Sequence, residues 1–304
     1  MKILLFGKNG QVGWELQRSL SVLGELVALG SDSASNPQQL CGDLRDLAGL
    51  AQTIRSFKPD LIVNAAAHTA VDKAESEPEL ARAINALAPG VMAQEAQALG
   101  AWLVHFSTDY VFDGSGQTPW REDDTTSPLS VYGQTKLEGE QAVVQCQRHL
   151  IFRTSWVYAA RGGNFAKTML RLAKERDALN VIADQVGSPT SAELLADVAA
   201  HAVRSAMHQP TLAGVYHCAA AGETSWHGYA SYVLAQAQAL GWPLKASADN
   251  VNPIPTTAYP TPARRPLNSR LDTRKLQNAF QLRLPHWQMQ VQRMLQEITW
   301  DTTK

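Results

Sequence analysis

Tyr132 and Lys136 lie four positions apart in the segment YGQTK. On a helix this spacing places both side chains on one face, about one turn apart. A phenol with a pKa of about 10 is a poor proton relay at neutral pH, but a neighbouring ammonium favours the phenolate and lowers that pKa. The pair is therefore a candidate acid for protonating a carbonyl oxygen. The alternative is a surface tyrosine beside a solvated lysine, because this spacing is common by chance.

A hydroxyl group for the same reaction lies upstream, where the apolar run Trp102–Phe106 ends in Ser107 and Thr108. A hydroxyl at a strand end beside a cofactor can hydrogen-bond the carbonyl that Tyr132 would protonate. Both hydroxyls are candidates, and the alternative is that they cap backbone groups where the strand ends. His68, in the segment NAAAHT after another apolar run, is interpreted as a residue that lines the site, because a proton donor is already present.

The segment GKNGQVG directly follows the apolar run Ile3–Phe6 and precedes a helical pattern. Gly7 allows a sharp turn out of the strand, Gly10 lets backbone amides approach a pyrophosphate, and Gly13 lets the helix pack closely on the sheet. The helix N-terminus then presents unpaired N–H groups and a partial positive charge to the anion. This spacing predicts a dinucleotide site, and the alternative is an ordinary glycine turn in an unrelated α/β fold.

Short apolar runs alternate with helical patterns through residues 1–160, which predicts a dinucleotide-binding domain. Continuous apolar strands separated by helices indicate a doubly wound parallel sheet of the Rossmann type, covered on both faces. Ligands in such α/β sheets bind outside the carboxyl ends of the strands, where each candidate segment lies. Ser127 and Pro128 are expected to begin the helix that carries Tyr132. The predicted strands are Ile3–Phe6, Leu26–Leu29, Leu61–Val63, Trp102–Phe106 and Leu150–Arg153.

Residues 161–304 are less regular and predict a smaller, irregular α/β domain that mainly binds substrate, with a chain that can cross between the domains. Pro89 is expected to kink or divide the helical pattern Glu79–Leu99, and the proline-rich segment Asn252–Pro266 to be an extended loop. A strand is predicted over Val215–Cys218. The helices predicted in this half are Phe165–Lys174, Ala192–Met207, Trp226–Leu240 and Trp287–Ile298.

The composition is that of an ordinary globular protein, with 304 residues, 45% hydrophobic and 18% charged residues, and a net charge of −1. This charge argues against broad electrostatic binding of nucleic acid or an anionic membrane. Three separated cysteines without a C-x-x-C pair indicate neither a disulfide framework nor a zinc site. Because no apolar run is long enough for a signal peptide or a membrane helix, a cytoplasmic protein is expected.

The ordered motifs together resemble the extended short-chain dehydrogenase/reductase family, and most closely its dTDP-4-dehydrorhamnose reductase branch. The resemblance covers nearly the whole chain. It implies NAD(P)H-dependent reduction of the C4 ketone of dTDP-4-dehydro-L-rhamnose to dTDP-L-rhamnose, a precursor of cell-surface polysaccharide such as lipopolysaccharide O-antigen. The motifs that carry it are GKNGQVG, HTAVDKAE, STDYVFDG, SPLSVYGQTKLEGE, FRTSWVY, NFAKTMLRLA and YPTPARRPLNSRL.

The resemblance also implies roles for individual residues. Tyr132 would donate the proton, Lys136 would lower the pKa of Tyr132 and bond the nicotinamide ribose, and Thr108 would polarise the carbonyl. The indole of Trp156 suits a sugar face, and the guanidinium of Arg265 suits a diphosphate, unless it is a solvated surface charge. The implied substrate contacts are Thr108, Asp109, Trp156 and Arg265. The implied cofactor contacts are Gly7, Gly10, Gln11, Val12, Gly13, Asp43, Leu44, Ala67, His68, Thr69, Phe106, Tyr132 and Lys136.

The end of the second predicted strand bears on the choice of cofactor. An acidic residue there commonly bonds the adenosine 2′-hydroxyl and favours NADH. In this chain Gly30 and Ser31 occupy the strand end, and Asp32 comes one position late. We therefore expect NADPH, with help from Lys8 for the 2′-phosphate and with NADH also accepted. The alternative is that Asp32 turns back toward the ribose.

Some members of the branch bind Mg²⁺ through glutamates at a homodimer interface, and the matching positions are Glu15, Glu193 and Glu297. The expected partner is a dTDP-linked 4-keto-deoxysugar, without nucleic acid or membrane. Two other functions stay open: a nucleotide-sugar epimerase or dehydratase of the same family, and a non-catalytic regulatory subunit of the methionine adenosyltransferase type. Net consumption of NADPH would exclude the first, and turnover by the purified chain alone would exclude the second.

Overall fold

Residues 1–32 and 40–298 are described by a computed structural model. The strands are β1 (Lys2–Phe6), β2 (Glu25–Leu29), β3 (Leu61–Asn64), β4 (Trp102–Thr108), β5 (His149–Thr154), β6 (Val157–Tyr158), β7 (Leu179–Ile182), β8 (Val186–Gly187), β9 (Thr190–Ser191), β10 (Gly214–His217), β11 (Thr224–Ser225) and β12 (Val251–Ile254). Six of them form a parallel sheet in the order β2-β1-β3-β4-β5-β10. The predicted doubly wound α/β fold is thereby confirmed.

The helices lie between these strands and cover both faces of the sheet. The α-helices are α1 (Gln11–Ser21), α2 (Leu47–Phe57), α3 (Val71–Ser76), α4 (Pro78–Arg82), α5 (Ala88–Leu99), α6 (Val131–Val143), α7 (Phe165–Glu175), α8 (Ala192–His208), α9 (Trp226–Ala239), α10 (Arg274–Phe280) and α11 (Trp287–Glu297). Short 3-10 turns lie at Asp109–Val111, Pro210–Leu212, Ala248–Asn250 and Thr256–Ala258. Among the described residues, every helix is too short or too polar to cross a bilayer.

The sheet has an apolar core on each side because alternate residues of a strand face opposite ways. In β1, Ile3 and Leu5 pack on the side covered by α1 and α8. Leu4 and Phe6 pack on the other side, which is covered by α2, α5 and α6. Both faces are buried, so the strands read as continuous apolar runs, and polar side chains of the sheet gather at the carboxyl ends of the strands.

The second half of the chain contributes to this sheet. β10 pairs with β5 at the sheet edge, and α8 packs against α1. The remaining helices of this half extend the apolar cluster that contains Ile3 and Leu5 of β1. The division into a cofactor domain and a substrate domain near residue 160 stays a prediction, and its last residues, 299–304, lie outside the described part of the chain.

Two local predictions were wrong. α6 does not begin at Ser127 and Pro128, because the Ser127 N–H donates to the Val111 carbonyl at 2.9 Å and keeps this segment extended. Ser130 caps the helix instead, and its hydroxyl accepts the Gly133 N–H at 3.2 Å. The proline-rich segment is not wholly a loop, because β12 pairs in parallel with β7 in a two-stranded sheet, where a strand without a second neighbour tolerates proline.

Pro89 divides the long helical segment through a wide turn rather than a break. α4 continues through the π-helical turn Ala83–Leu87 into α5. Proline has no N–H for the carbonyl four residues earlier, so the regular ladder is interrupted here. Within the wide turn, the Asn85 amide accepts the His68 N–H at 2.8 Å and donates to the His68 carbonyl at 3.1 Å. The π turn therefore holds the loop that follows β3.

Candidate active site

A cavity of about 850 Å³ opens at the carboxyl ends of β1, β3, β4 and β5. The order of the sheet reverses between β1 and β3, which is where doubly wound sheets bind ligands. Gly13, His68 and Arg265 are the predicted cofactor and substrate residues that do not line the cavity. The predicted residues that line it are Gly7, Gly10, Gln11, Val12, Asp43, Leu44, Ala67, Thr69, Phe106, Thr108, Asp109, Tyr132, Lys136 and Trp156.

The glycine segment forms one wall of this cavity, and two of its glycines admit no side chain. Gly7 has a φ of +91°, and a Cβ there would lie 2.6 Å from the Ala66 nitrogen. A Cβ on Gly13 would lie 2.0 Å from the Gly7 carbonyl oxygen, so α1 begins in direct contact with the turn. No side chain caps the N-terminus of α1 at Gly10. These features fit the diphosphate of a dinucleotide, held by backbone N–H groups and the helix dipole.

At the end of β2, three side chains converge over Gly30. The position that a Cβ would take there is 2.5 Å from Asp32 Oδ1, 2.8 Å from Asn9 Nδ2 and 3.3 Å from Lys8 Cε. Asp32 thus turns back toward the strand end, as in the alternative stated above, and Lys8 lies beside it. Gly30 itself lines the cavity, so a carboxylate and a lysine lie next to its wall.

Asp43 contacts the cavity as half of an ion pair. Arg45 Nη2 lies 2.6 Å from Asp43 Oδ2, and the arginine holds the pKa of that carboxyl below its ordinary value, mainly through this hydrogen bond. Arg45 also lines the cavity and was not among the predicted residues. The Arg45 backbone N–H also donates to Asp43 Oδ1 at 3.0 Å, so the pair forms within two residues of the chain.

Partly buried Tyr132 lies beside Thr108 and Asp109, two buried polar residues at the end of β4. Thr108 Oγ1 donates to Asp109 Oδ1 at 3.1 Å. Burial raises the pKa of Tyr132 to about 12, because a phenolate is poorly solvated here; Thr108 opposes this effect and Asp109 adds to it. Tyr132 is therefore a protonated phenol at neutral pH, beside the hydroxyl that the sequence predicted.

Lys136 is bound to the carboxyl end of β4. Its Nζ donates to the Phe106 carbonyl at 2.6 Å and lies 3.2 Å from His105 Nε2. Burial lowers the pKa of Lys136 to about 8, against an opposing effect of Glu140. Burial is the largest effect on the pKa of Tyr132, and the expected lowering of that pKa by Lys136 stays a prediction.

Polar atoms without partners point to a polar ligand. Ser107 Oγ, Asp109 Oδ2 and Thr154 Oγ1 are buried and have no hydrogen-bond partner among the described residues, and all three residues line the cavity. Burial raises the pKa of Asp109 to about 6, although the Ser269 and Thr108 hydroxyls lower it. A ligand that donates hydrogen bonds would satisfy these acceptors. Thr154 was not predicted, although it begins the segment TSWVY after β5.

The Trp156 indole is held between two neighbours. Its backbone has a φ of +49°, an uncommon value for a bulky residue. Trp226 stacks on it, with ring centroids 3.6 Å apart and planes inclined by 14°. A Cβ on Gly187 would lie 2.9 Å from Trp156 Cε2. Trp226 also lines the cavity and was missed, because its helix begins far along the chain and only the fold brings it here.

Arg265 and His68 lie next to the cavity rather than in its wall. Arg265 Nη2 lies 2.7 Å from Asp72 Oδ2, and the Ala263 N–H donates to Asp72 Oδ1 at 3.2 Å. The proline-rich segment is thereby bound to α3. For Arg265 to bind a diphosphate, its guanidinium must leave Asp72. The cofactor role of His68 and the diphosphate role of Arg265 stay predictions.

The three predicted metal ligands share one region but are paired with arginines. Arg18 lies 3.4 Å from Glu15, and Arg293 lies 3.6 Å from Glu193 and 3.4 Å from Glu297. Burial, then the charges of Glu297 and Glu15, raise the pKa of Glu193. Throughout residues 1–32 and 40–298, no group of three or more His, Cys, Asp or Glu side chains is placed to hold a metal ion. The Mg²⁺ prediction is therefore unsupported.

Comparison with known proteins places this geometry in a family. The model of the RmlD substrate binding domain family matches residues 1–300. The chain belongs to this family. Among its RmlD-family relatives, the dTDP-4-dehydrorhamnose reductase of Salmonella typhimurium is 58% identical over 304 residues, which is 100% of both chains. That of Escherichia coli K12 is 59% identical over 299 residues, which is 98% of each chain. The resemblance inferred from the motifs is confirmed.

Solved structures give the same result for the fold of this RmlD-family protein. The dTDP-4-dehydrorhamnose reductase from Bacillus anthracis, solved in complex with NADP, superposes with a TM-score of 0.85 at 34% identity. The match covers 97% of this chain and 99% of that one. A nicotinamide dinucleotide therefore occurs in a protein of this fold, in agreement with the glycine wall described above.

Proposed function

We propose that this chain is an oxidoreductase that reduces the C4 ketone of dTDP-4-dehydro-L-rhamnose to dTDP-L-rhamnose, with a reduced nicotinamide dinucleotide, for cell-surface polysaccharide. One observation carries the proposal: the side chains of Tyr132 and Thr108 line the same cavity as the glycine wall for a dinucleotide. Relatives that align over 98% or more of the chain bear the name of this activity, which supports the choice of substrate.

The side chains have distinct tasks in this reaction. When bound, the reduced nicotinamide supplies a hydride to C4 of the sugar. Tyr132 gives its proton to the C4 oxygen as negative charge develops there. Its raised pKa keeps the phenol protonated until it is needed, and an alkoxide is basic enough to take the proton. In this structure Thr108 donates its one hydroxyl proton to Asp109 Oδ1, and this proton would turn to the C4 oxygen when the substrate binds.

Lys136 and the walls of the cavity position the reactants. The Lys136 amine, fixed against the Phe106 carbonyl, is placed to bond the nicotinamide ribose. The substrate diphosphate would draw Arg265 away from Asp72, since a bidentate guanidinium suits a diphosphate. The stacked indoles of Trp156 and Trp226 would border the sugar. Homodimerisation is part of the proposal only as an expectation from the family.

NADPH is the proposed preferred cofactor, with NADH also used. Lys8 and Asn9 lie over Gly30, where they can bond a 2′-phosphate, and the Asp32 carboxylate in the same corner can accept from a 2′-hydroxyl. Lys8→Met is expected to raise the KM for NADPH about tenfold and to leave the KM for NADH nearly unchanged, because a charge-assisted bond is lost. Asp32→Asn should do the reverse. Equal effects on both cofactors would refute this assignment.

The decisive experiment mixes purified chain, dTDP-4-dehydro-L-rhamnose and NADPH and follows absorbance by the dihydronicotinamide. We expect one NADPH to be oxidised for each dTDP-L-rhamnose formed, and none with dTDP-L-rhamnose itself as the control. An epimerase or dehydratase would convert substrate without net NADPH consumption. A regulatory subunit would bind without turnover. Either of these outcomes would overturn the proposal.

A further inference from the structure

A buried pair of side chains lies directly beneath Lys136 and has no role in the account above. Asn64 ends β3 and His105 lies opposite it on β4, in register. Asn64 Nδ2 lies 3.1 Å from His105 Nδ1, and the other ring nitrogen, Nε2, lies 3.2 Å from Lys136 Nζ. Their exposed fractions are 1%, 1% and 2%, so water cannot substitute for these contacts.

A backbone N–H determines which atom donates and which accepts in the contacts between Asn64, His105 and Lys136. The Ala66 N–H can only donate, and it donates to Asn64 Oδ1 at 3.1 Å. The amide NH₂ of Asn64 therefore faces His105 and donates to Nδ1, which must carry a lone pair. A neutral imidazole then has its proton on Nε2, the nitrogen that faces Lys136.

We propose that Asn64 fixes His105 as the Nε2–H tautomer, and that this N–H positions Lys136 and favours its uncharged amine. An ammonium has three N–H groups and no acceptor, so it would place a hydrogen-bond donor against the Nε2–H donor of the imidazole. A neutral amine accepts from Nε2–H, donates to the Phe106 carbonyl, and keeps one N–H for a ligand. His105 and Asn64 are positioning residues, since they act on the site only through Lys136.

The other groups around Lys136 leave the equilibrium between its ammonium and its uncharged amine sensitive to the hydrogen bond from His105. On its own helix, Tyr132 lies one turn before it, as a protonated phenol, and Glu140 one turn after it. The Glu140 carboxylate favours the ammonium, but Arg153 of β5 lies 2.7 Å from it and both are buried. The pKa of Lys136, lowered by burial to about 8, is close to the working range, so a change in one hydrogen bond alters its charge. His105 itself stays neutral, because burial lowers its pKa well below the ordinary value.

The first test observes the tautomer in the wild-type chain. Nitrogen NMR of protein labelled in its eight histidines distinguishes protonated from unprotonated ring nitrogens, and the His105→Gln variant assigns the His105 signals by their loss. We expect a protonated Nε2 and an unprotonated Nδ1 at neutral pH. A ring protonated on Nδ1, or on both nitrogens, would overturn the proposal. This measurement needs no substrate, cofactor or turnover.

The second test follows the charge of Lys136 by ¹³C NMR of its labelled ε-carbon, with Lys136→Met to assign the signal. In Asn64→Asp, the carboxylate accepts from His105 Nδ1–H, so Nε2 offers a lone pair to the ammonium. The Lys136 titration midpoint should then rise by about one pH unit or more. In the matched variant Asn64→Ser, whose hydroxyl can still donate to Nδ1, the midpoint should stay in place.

An Asn64→Asp midpoint that is unchanged or lower would contradict the proposal, and so would a rise of the same size in Asn64→Ser. If Asn64→Asp does not fold, the His105 tautomer measured in the wild-type chain still tests the proposal. The inference rests on the proposed function only for the use of the remaining N–H of the Lys136 amine toward the cofactor. The two can fail separately, because both NMR readouts are independent of whether the ketone is reduced.

Discussion

The burial of Asp109 predicts how the free energy of unfolding changes with pH. The side chain is 2% exposed, and burial raises its pKa from the ordinary 3.8 to about 6. A raised folded-state pKa means that the native protein binds the proton more tightly than the unfolded chain does. This stabilisation is therefore complete below the unfolded pKa and is lost as pH rises through about 6. Its full size is about 3 kcal/mol, because one pKa unit corresponds to about 1.36 kcal/mol.

The asparagine of Asp109→Asn cannot ionise, so this variant should not lose stability as pH rises through about 6. Between about pH 5 and about pH 8, the free energy of unfolding of the variant should rise by about 1.4 kcal/mol relative to wild type. Urea unfolding of both proteins at several pH values measures the difference. Asp113→Asn is the control, since Asp113 is partly exposed and the Ser115 backbone N–H lowers its pKa, which places its effect at more acidic pH. A difference between Asp109→Asn and wild type that does not change with pH would refute the reasoning.

Two further predictions concern binding. Gly13→Ala should weaken NADPH binding about tenfold or more, because its Cβ would collide with the Gly7 carbonyl. Cofactor fluorescence measures the affinity. The control Gly163→Ala should bind NADPH normally, because no atom lies within 4 Å of the added Cβ. Equal affinities in the two variants would argue against a tight glycine turn. Trp226→Ala should raise the KM for the keto-sugar and leave NADPH affinity unchanged, with partial rescue by Trp226→Phe, because Trp156 loses its stacking partner. A loss of NADPH affinity without a change in the KM for the keto-sugar would contradict a role of Trp226 beside the sugar.

The parts of the site that the sequence predicts are those with local causes. The glycine segment is one turn between a strand and a helix, so Gly13 is constrained by its neighbour in sequence, Gly7, although Gly7 itself is packed against the distant Ala66. Tyr132 and Lys136 share a helix face through their spacing alone. Thr108 lies at a strand end for the same kind of reason, since apolar runs mark the strands of a sheet that is buried on both faces.

The parts that escaped prediction depend on contacts between distant segments. Asn64 meets His105 only because β3 and β4 pair in one register, and the His105 ring then lies 3.2 Å from the Lys136 nitrogen. Trp226 reaches Trp156 from the start of α9 in the second half of the chain. β12 forms because β7 is available as a partner, which overrides the tendency of its proline to break a strand.

The most direct test of the central claim is the Tyr132→Phe variant, assayed for keto-sugar reduction and, separately, for NADPH binding. The account predicts that turnover falls about 10²–10⁴-fold while cofactor affinity is nearly unchanged, because the variant loses only the hydroxyl that protonates the C4 oxygen. Turnover close to that of the wild-type chain would contradict it.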